Sequence, residues 1–314
     1  MKLVTTQSLD TDEVARILPE ARVVVVQSDE GLFRESQDAE ILYGVRPGVL
    51  QQILRTSSTV RWAHTSSAGV DAFLSDELRN STVRLTCAKG GAAGRNLAEH
   101  ALGLALALSR NIGEAARSTH WRRGELSAGA FELSGRVAGI AGYGGAGREM
   151  TQLLNGFRMR IVAVKRTPPH SSSETLRVLP PVGFSTMCRE SDVVFNFLPS
   201  TSDTERIFDR AAFETMKRSA LFVNVGRGST VDTKALVQAL QEGLIAGAGI
   251  DAVEPEPLPE EHPLWSMANV VISPHIAGNS PDRTVRNWRA FLENLRRYRD
   301  GRELLSVVDP GSGY

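Results

Sequence analysis

Five small residues have the types and the spacing that bind a dinucleotide: Gly142, Gly144, Gly145, Ala146 and Gly147. They follow a predicted strand at 137–141 and precede a predicted helix at 148–157, which is the context that the GxGxxG motif requires. Gly142 permits a tight turn, Gly144 lets the backbone approach a pyrophosphate, and Gly147 lets the helix pack closely on the strand. The N-terminus of the helix then offers N–H groups and the positive end of its dipole to the phosphates.

The residues after the next predicted strand bear on the choice between NAD and NADP. An NAD site usually has an acidic residue about 20 positions after the glycine motif, where it binds the ribose 2′-hydroxyl. Lys165, Arg166 and Thr167 occupy that place. Two cations and a hydroxyl suit a 2′-phosphate, because arginine binds phosphate through a planar fork. We therefore expect NADP(H), with NAD(H) possible if these residues form only a solvated basic turn.

The charge balance argues against partners that need a strong electrostatic field. The chain has 314 residues with 36 basic and 36 acidic side chains, so its formal net charge is zero. Nucleic acids and anionic membrane surfaces attract basic proteins, and we expect neither as a partner. A composition with 41% apolar and 23% charged residues is typical of a globular protein, and the length allows two domains.

The cysteines and the N-terminal residues favour a reducing compartment. Cys87 and Cys188 are too far apart for a metal site and too few for a disulfide framework, so we expect neither. No apolar run follows Met1, as a secretory signal would require. The longest apolar run, 101–108, is far shorter than the roughly 20 residues of a membrane span. We expect a cytoplasmic protein.

Strand-like and helix-like segments alternate along the chain. Strand-like runs in the first hundred residues are 22–27, 41–45, 60–64 and 83–87. A second series lies at 137–141, 161–164, 192–197, 220–225, 246–250 and 270–273. This alternation predicts an α/β fold with parallel sheets that are covered on both faces. Such sheets bind ligands at the carboxyl ends of their strands.

Two helices are predicted beside these series. Asn96, followed by Glu99, resembles a capping box for a helix at 98–108 that is apolar on nearly every side and should be buried. An amphipathic helix at 285–297 leads to an extended tail at 304–308. If that tail returns to the first domain, the first domain is discontinuous.

Short motifs along the chain resemble, in order and separation, those of the D-isomer-specific 2-hydroxyacid dehydrogenases. They are 67–71, 97–100, the glycine motif, 196–199 with Thr204, 224–228, 249–251 with 256–259, and 269–278. The resemblance implies a Rossmann nucleotide-binding domain, 97–285, inserted in a flavodoxin-like substrate domain, 1–96 plus 286–314. It also implies a homodimer. Lys165 departs from the acidic residue that is commonest in the family, and the glycine-rich stretch 89–95 is a second departure.

The resemblance places a catalytic set at Arg227, Glu256 and His275. An arginine can bind the carboxylate of a 2-oxo acid and polarise the carbonyl that accepts hydride. A histidine can deliver a proton to the forming alkoxide near neutral pH, and an adjacent carboxylate favours the protonated ring. Glu254 is an alternative to Glu256, which we prefer because the family's glutamate precedes Pro-Leu-Pro. The other histidines are expected to be structural or solvated: His64, His100, His120, His170 and His262.

Further contacts are implied by the same resemblance. Ala68, Gly69 and Val70 resemble the substrate loop, whose N–H groups bind the substrate carboxylate together with Arg227 and His275; a plain strand-to-helix turn is the alternative. Residues expected to line the cofactor are Pro199, Thr204, Val225, Asp251 and Gly278. Among these, Asp251 matches the family's contact to the nicotinamide carboxamide.

These features predict reversible hydride transfer between NADPH and C2 of a small 2-oxo acid, such as glyoxylate or hydroxypyruvate, with a D-2-hydroxy acid as product. The site would lie in a cleft whose closure excludes water. A formate or phosphite oxidoreductase is less favoured, because the formate enzymes have a Gln-His pair. Two alternatives stay open: a corepressor-like protein that senses nicotinamide without turnover, and a phosphoglycerate dehydrogenase, although we expect no regulatory domain after Tyr314.

Overall fold

The chain forms two compact units. The computed structural model describes residues 1–7, 10–89, 91–169 and 173–311, and of 91–93 it describes the backbone alone. The first unit comprises Met1–Ala93 and Ser280–Tyr314, and the second comprises Gly94–Asn279. His170, expected to be structural or solvated, lies outside the described residues. Within those residues, no helix has both the length and the apolarity that crossing a membrane requires.

The first unit is built on a five-stranded parallel sheet. Its strands are β1 (Lys2–Thr5), β2 (Arg22–Val25), β3 (Ile41–Tyr43), β4 (Trp62–Thr65) and β5 (Arg84–Cys87). Their spatial order is β2-β1-β3-β4-β5, which is the flavodoxin-like order. The helices are α1 (Thr11–Ile17), α2 (Asp29–Glu35), α3 (Pro47–Thr56), α4 (Asp76–Arg79) and, from the end of the chain, α12 (Pro281–Arg299).

Both faces of this sheet are buried. Successive residues of a strand point to opposite faces, so Leu3 packs in one apolar cluster and Val4 in the other. Helix α12 covers the Leu3 face with Phe291, which lies against the ring of Trp62. The C-terminal tail returns to this sheet, because the N–H of Val308 donates to the Leu85 carbonyl.

The second unit is built on a seven-stranded parallel sheet. Its strands are β6 (Val137–Ala141), β7 (Arg160–Val164), β8 (Leu176–Leu179), β9 (Val193–Asn196), β10 (Leu221–Asn224), β11 (Gly247–Ile250) and β12 (Val270–Ile272). The helices are α5 (Gly91–Ser109), α6 (Ile112–Arg117), α7 (Arg123–Ser127), α8 (Gly145–Asn155), α9 (Phe184–Glu190), α10 (Arg210–Thr215) and α11 (Thr233–Gln241). Two apolar clusters fill the spaces on the two faces of the sheet.

The strand order of the second unit defines where a ligand can bind. The order is β12-β11-β10-β9-β6-β7-β8, so the chain runs outward from β6 in one direction and from β9 in the other. This is the Rossmann order, and the crevice at the carboxyl ends of β6 and β9 is its ligand site. The predicted α/β class, with a Rossmann sheet and a flavodoxin-like sheet, is confirmed.

The structure corrects several predicted elements. Strands β1 and β8 were not predicted; β1, KLVT, has only two apolar residues, and β8, LRVL, is interrupted by Arg177 and partly exposed at the sheet edge. The capping box at Asn96 is wrong, because α5 begins at Gly91 and Asn96 lies inside it. The Asn96 amide instead donates to the Gly278 carbonyl at 2.9 Å, so this residue ties the helix to the loop after β12.

Candidate active site

The glycine motif forms the turn between β6 and α8, and two of its glycines are required by the geometry. Gly142 has a φ of 96°, and a Cβ there would lie 2.9 Å from the carbonyl carbon of Phe197. A Cβ at Gly147 would lie 2.6 Å from the Gly142 carbonyl oxygen, where α8 packs against the end of β6. A side chain at either position would force the turn apart.

Gly144 serves a different purpose, because packing does not require it. Among the described residues, no heavy atom lies within 4 Å of a Cβ built on Gly144, so its backbone faces open space. Gly144 is also the N-cap of α8 and provides no side-chain hydrogen bond; Gly145 and Ala146 begin the helix. The first N–H groups of α8 are therefore available to an anion, and the turn fits the pyrophosphate of a dinucleotide.

The basic residues after β7 lie next to this turn. The N–H groups of Gly142 and Tyr143 both donate to the Val164 carbonyl at 3.1 Å, so the end of β7 is hydrogen-bonded to the glycine turn. Lys165 follows directly and is half-buried, with its own N–H donating to the Leu179 carbonyl. Arg166 and Thr167 are exposed. Their place beside the turn is where the adenosine ribose of a bound dinucleotide would lie.

A buried asparagine pair that sequence reasoning missed holds the loops after β9 and β10. The Asn196 amide donates to Asn224 Oδ1 at 2.9 Å and to Thr230 Oγ1 at 2.8 Å. Asn224 Oδ1 also accepts the N–H of Gly226, while its amide donates to the Ala252 carbonyl at 2.7 Å. Each asparagine ends an apolar strand, and a polar residue in that place was the signal that could have revealed the pair.

Arg227 follows β10 on this scaffold. Its carbonyl accepts the Thr230 hydroxyl at 2.6 Å, and its guanidinium donates to the Gly226 carbonyl at 2.9 Å. A side chain at Gly228 would collide with the backbone of Val253, so the loops after β10 and β11 approach closely only because residue 228 is glycine. The backbone of Arg227 is thus fixed at the carboxyl edge of the sheet.

His275 and Glu256 form a hydrogen-bonded pair at the same edge. His275 Nδ1 lies 2.6 Å from Glu256 Oε1, and the two side chains are 47% and 45% exposed. A carboxylate can only accept, so Nδ1 carries the proton and Nε2 is the ring nitrogen left to meet a substrate. The structure distinguishes the two candidate glutamates. Glu256 contacts the ring, whereas the backbone carbonyl of Glu254 accepts the Thr233 hydroxyl at 2.6 Å.

Asp251 is buried at the end of β11 and holds the loop that carries His275. Its carboxylate accepts the N–H groups of Ile276 and Ala277, each at 3.0 Å. Burial acts to raise the pKa of Asp251, but the hydrogen bonds from His100, Ser273 and these two backbone groups outweigh it, and the pKa lies below its ordinary value. Asp251 is therefore ionised at neutral pH.

The other residues expected to line a cofactor lie on the loops after neighbouring strands. Pro199 and Thr204 share the loop after β9, where the Thr204 hydroxyl donates to the Pro199 carbonyl at 2.6 Å. Val225 follows β10 directly and is buried. Gly278 lies after β12.

The predicted substrate loop lies in the first unit, directly after β4. Val70 is buried in the core, whereas Ala68 and Gly69 are half-buried. Two residues that sequence analysis did not connect with this loop hold it at Ser66. The Arg283 guanidinium donates to the Ser66 carbonyl at 2.6 Å, and the Gln7 amide donates to its hydroxyl at 2.8 Å.

Comparison with known families gives a match over the second unit. Residues 102–277 match the family model described as D-isomer specific 2-hydroxyacid dehydrogenase, NAD binding domain. The matched segment contains the glycine motif, Arg227, Glu256 and His275.

Similar proteins extend the match beyond this segment. Glyoxylate/hydroxypyruvate reductase B of Enterobacter sp. (strain 638) is 34% identical over 275 residues, which cover 86% of this chain and 84% of that protein. Glyoxylate reductase of Aeropyrum pernix is 35% identical over 237 residues, 68% of each chain. The crystal structure of a D-isomer specific 2-hydroxyacid dehydrogenase from Xanthobacter autotrophicus Py2, in complex with NADPH and MES, is 26% identical with a TM-score of 0.82 and covers 100% of this chain and 99% of that one.

Proposed function

We propose that this chain, which belongs to the D-isomer specific 2-hydroxyacid dehydrogenase family, reduces small 2-oxo acids such as glyoxylate and hydroxypyruvate. NADPH is the preferred hydride donor in this proposal. The chain is an oxidoreductase that acts on CH–OH groups with a nicotinamide cofactor. The product of the proposed reaction is the D-2-hydroxy acid. The observation that carries the proposal is the 2.6 Å contact between His275 and Glu256, on the same sheet edge as Arg227.

His275 is the proposed proton donor. With Nδ1–H held by Glu256, the ring presents Nε2 to the substrate oxygen that becomes the hydroxyl. Glu256 orients the ring by accepting Nδ1–H, and the protonated ring carries on Nε2 the proton that it gives. After transfer the ring is neutral and keeps its hydrogen bond to Glu256, so its orientation is preserved through the reaction.

Arg227 is the proposed binding group for the substrate. A guanidinium can donate two parallel hydrogen bonds to the carboxylate of a 2-oxo acid, and its charge stabilises the negative charge that develops on the C2 oxygen. We also propose that the backbone N–H groups of Ala68, Gly69 and Val70 bind the substrate carboxylate. The anchoring of Ser66 by Arg283 supports a fixed backbone at that loop.

The cofactor would be held by the second unit and would supply the hydride to C2. We propose that the glycine turn holds the pyrophosphate and that the residues after β7 contact the 2′-phosphate. The support for NADPH is the basic segment Lys165, Arg166 and Thr167 beside the turn, together with the NADPH-bound relative from Xanthobacter. Further cofactor contacts are proposed for Pro199, Thr204, Val225, Asp251 and Gly278.

We further propose a cytoplasmic homodimer whose first unit is the substrate domain and whose second unit is the dinucleotide-binding domain. Helix α5 is a candidate for the subunit contact, because Leu102, Leu106 and Leu108 are only partly buried in the chain alone. Sedimentation equilibrium would test the dimer. We expect twice the chain mass of 34.1 kDa, and a monomer mass would contradict the dimer.

The experiment that tests the proposed function is a panel of 2-oxo acids assayed with NADPH and with NADH. We expect turnover of glyoxylate or hydroxypyruvate, and a higher kcat/KM with NADPH. Tight binding of the reduced cofactor without turnover of any 2-oxo acid would instead favour the nicotinamide-sensing alternative. Turnover confined to the phosphorylated hydroxy acid would favour a phosphoglycerate dehydrogenase.

A further inference from the structure

Three backbone hydrogen bonds from the loop that carries His275 converge on one residue, Asp251. The N–H of His275 donates to the backbone carbonyl of Asp251 at 2.9 Å, and the next two N–H groups donate to its two carboxylate oxygens. His275 itself has a φ of 52°, in the left-handed region that residues with a side chain rarely adopt. Such a conformation persists where its surroundings over-determine it, and Asp251 supplies that constraint.

The carboxylate of Asp251 is in turn held by a directed chain of two side chains. Ser273 Oγ lies 2.6 Å from Asp251 Oδ1, and His100 Nε2 lies 2.7 Å from Ser273 Oγ. Because a carboxylate only accepts, the Ser273 hydroxyl donates to Asp251. The hydroxyl oxygen is therefore the acceptor for His100, and His100 Nε2 carries a proton.

The hydrogen-bonded series from His100 through Ser273 to Asp251 begins on a different element from the loop that carries His275. His100 lies on α5, Ser273 directly follows β12, and Asp251 follows β11. The carboxyl group of Asp251 is buried and the His100 ring is 25% exposed, so water competes little for these bonds. Within the part of the chain that the structure describes, neither His100 nor Ser273 hydrogen-bonds to the side chain of His275 or Glu256.

We propose that His100 and Ser273 are positioning residues for proton delivery by His275, acting through Asp251; this rests on the proposed function. With both present, the Asp251 carboxylate keeps one orientation and the His275 backbone stays in its left-handed conformation. Its ring then meets Glu256 at the observed distance. Without the Ser273 hydroxyl, Asp251 Oδ1 keeps only the N–H of Ile276 and the more distant His100 ring, at 3.4 Å, and the loop gains alternative conformations.

The test uses Ser273→Ala, His100→Leu, their double variant and Ser273→Thr, which retains the hydroxyl. We expect Ser273→Ala and His100→Leu each to lower kcat for 2-oxo acid reduction roughly tenfold, the scale of one hydrogen bond to a charged group, with KM for the acid within about twofold of wild type. The loss in the double variant should be smaller than the product of the two single losses, because His100 acts on Asp251 chiefly through Ser273, at 2.7 Å, and only weakly through its own 3.4 Å contact. Ser273→Thr should restore kcat to within about twofold of wild type.

Hydrogen exchange supplies a readout that does not depend on turnover. We expect the amides of Ile276 and Ala277 to exchange faster in Ser273→Ala and in His100→Leu than in wild type, with exchange of β10 unchanged as evidence of an intact fold. Ser266→Ala is the matched control, since it removes an exposed hydroxyl that donates to the Pro263 carbonyl, and it should change neither readout.

The outcomes separate this proposal from the proposed function. If wild type reduces no 2-oxo acid, the proposed function fails and the exchange measurement still tests the hold on the loop. If wild type is active but Ser273→Ala and His100→Leu match it in kcat and exchange, the positioning role is wrong. A rate loss that Ser273→Thr does not recover, or a double variant whose loss is the product of the single losses, would also overturn it.

Discussion

His64 should make the stability of the first unit depend on pH. Its ring is fully buried, with Nδ1 at 2.8 Å from Thr86 Oγ1 and Nε2 at 3.2 Å from Asn287 Oδ1. The amide oxygen of Asn287 only accepts, so Nε2 carries the proton and Nδ1 accepts the Thr86 hydroxyl. That hydroxyl oxygen also accepts the indole N–H of Trp62 at 2.8 Å. The site is therefore satisfied by the neutral ring.

Burial sets both the sign and the size of the effect. It lowers the pKa of His64 from its ordinary value of 6.5 to about 4, although the bond to Asn287 acts in the opposite direction. The unfolded chain then binds more protons than the folded chain between these values, so the stability is complete above pH 6.5 and falls as the pH decreases towards 4. At about 1.36 kcal/mol per pKa unit, the total loss is about 3 kcal/mol, of which about 2 kcal/mol is lost by pH 5.

The assay is urea unfolding of the full chain at about pH 7.5 and about pH 5, followed by tryptophan fluorescence. His64→Gln keeps hydrogen-bonding capacity but cannot titrate in this range. We expect the free energy of unfolding of wild type to decrease by about 2 kcal/mol more than that of His64→Gln over the same interval. His120→Gln, at an exposed histidine, should behave as wild type. Equal decreases in wild type and His64→Gln would refute the reasoning.

Three predictions concern the site itself. Arg227→Ala should raise KM for the 2-oxo acid and lower kcat, so that kcat/KM falls roughly 100-fold or more. The reason is that the guanidinium binds both the substrate carboxylate and the developing oxyanion. An unchanged kcat/KM would show that Arg227 does not belong to the site. Arg166→Ala should raise the Kd of NADPH by roughly five- to tenfold, while the Kd of NADH changes little. The effect should be smaller at high salt, because the Arg166 side chain is exposed and salt screens its charge. Equal effects on both cofactors in a fluorescence titration would contradict this prediction. Glu256→Gln should lower kcat for 2-oxo acid reduction roughly tenfold, because the amide loses the charge-assisted hydrogen bond that holds the His275 ring, whereas Glu254→Gln should keep the wild-type kcat; a loss in the Glu254 variant alone would reverse the assignment.

The sequence predicted the parts of the fold that depend on local pattern. Alternating apolar strands and helices gave both parallel sheets, and the glycine spacing located the turn at which Gly142 adopts a positive φ. Strands β1 and β8 escaped because their apolar runs are short and broken: β1, KLVT, has only two apolar residues, and β8, LRVL, is interrupted by Arg177 and partly exposed. The start of α5 was misplaced because Asn96 is a common N-cap residue, while its actual partner, Gly278, is distant in sequence.

The same limit applies to the site. Arg227, Glu256 and His275 could be proposed because the motifs that carry them resemble those of a known family. The pairings that hold them could not, since Asn196 with Asn224 and His100 with Ser273 join residues that are far apart along the chain. Such bonds are determined by strand order and register, which a local pattern does not contain.

The central claim is that His275 delivers the proton in the reduction of a 2-oxo acid. The measurement that tests it most directly is the steady-state rate of NADPH oxidation with glyoxylate and with hydroxypyruvate, for wild type, His275→Ala and His120→Ala as the matched exposed-histidine control. We predict turnover by wild type and by His120→Ala, and a kcat at least roughly 100-fold lower in His275→Ala, with the Kd of NADPH within about twofold of wild type. A His275→Ala variant that reduces either acid at the wild-type rate would contradict the claim.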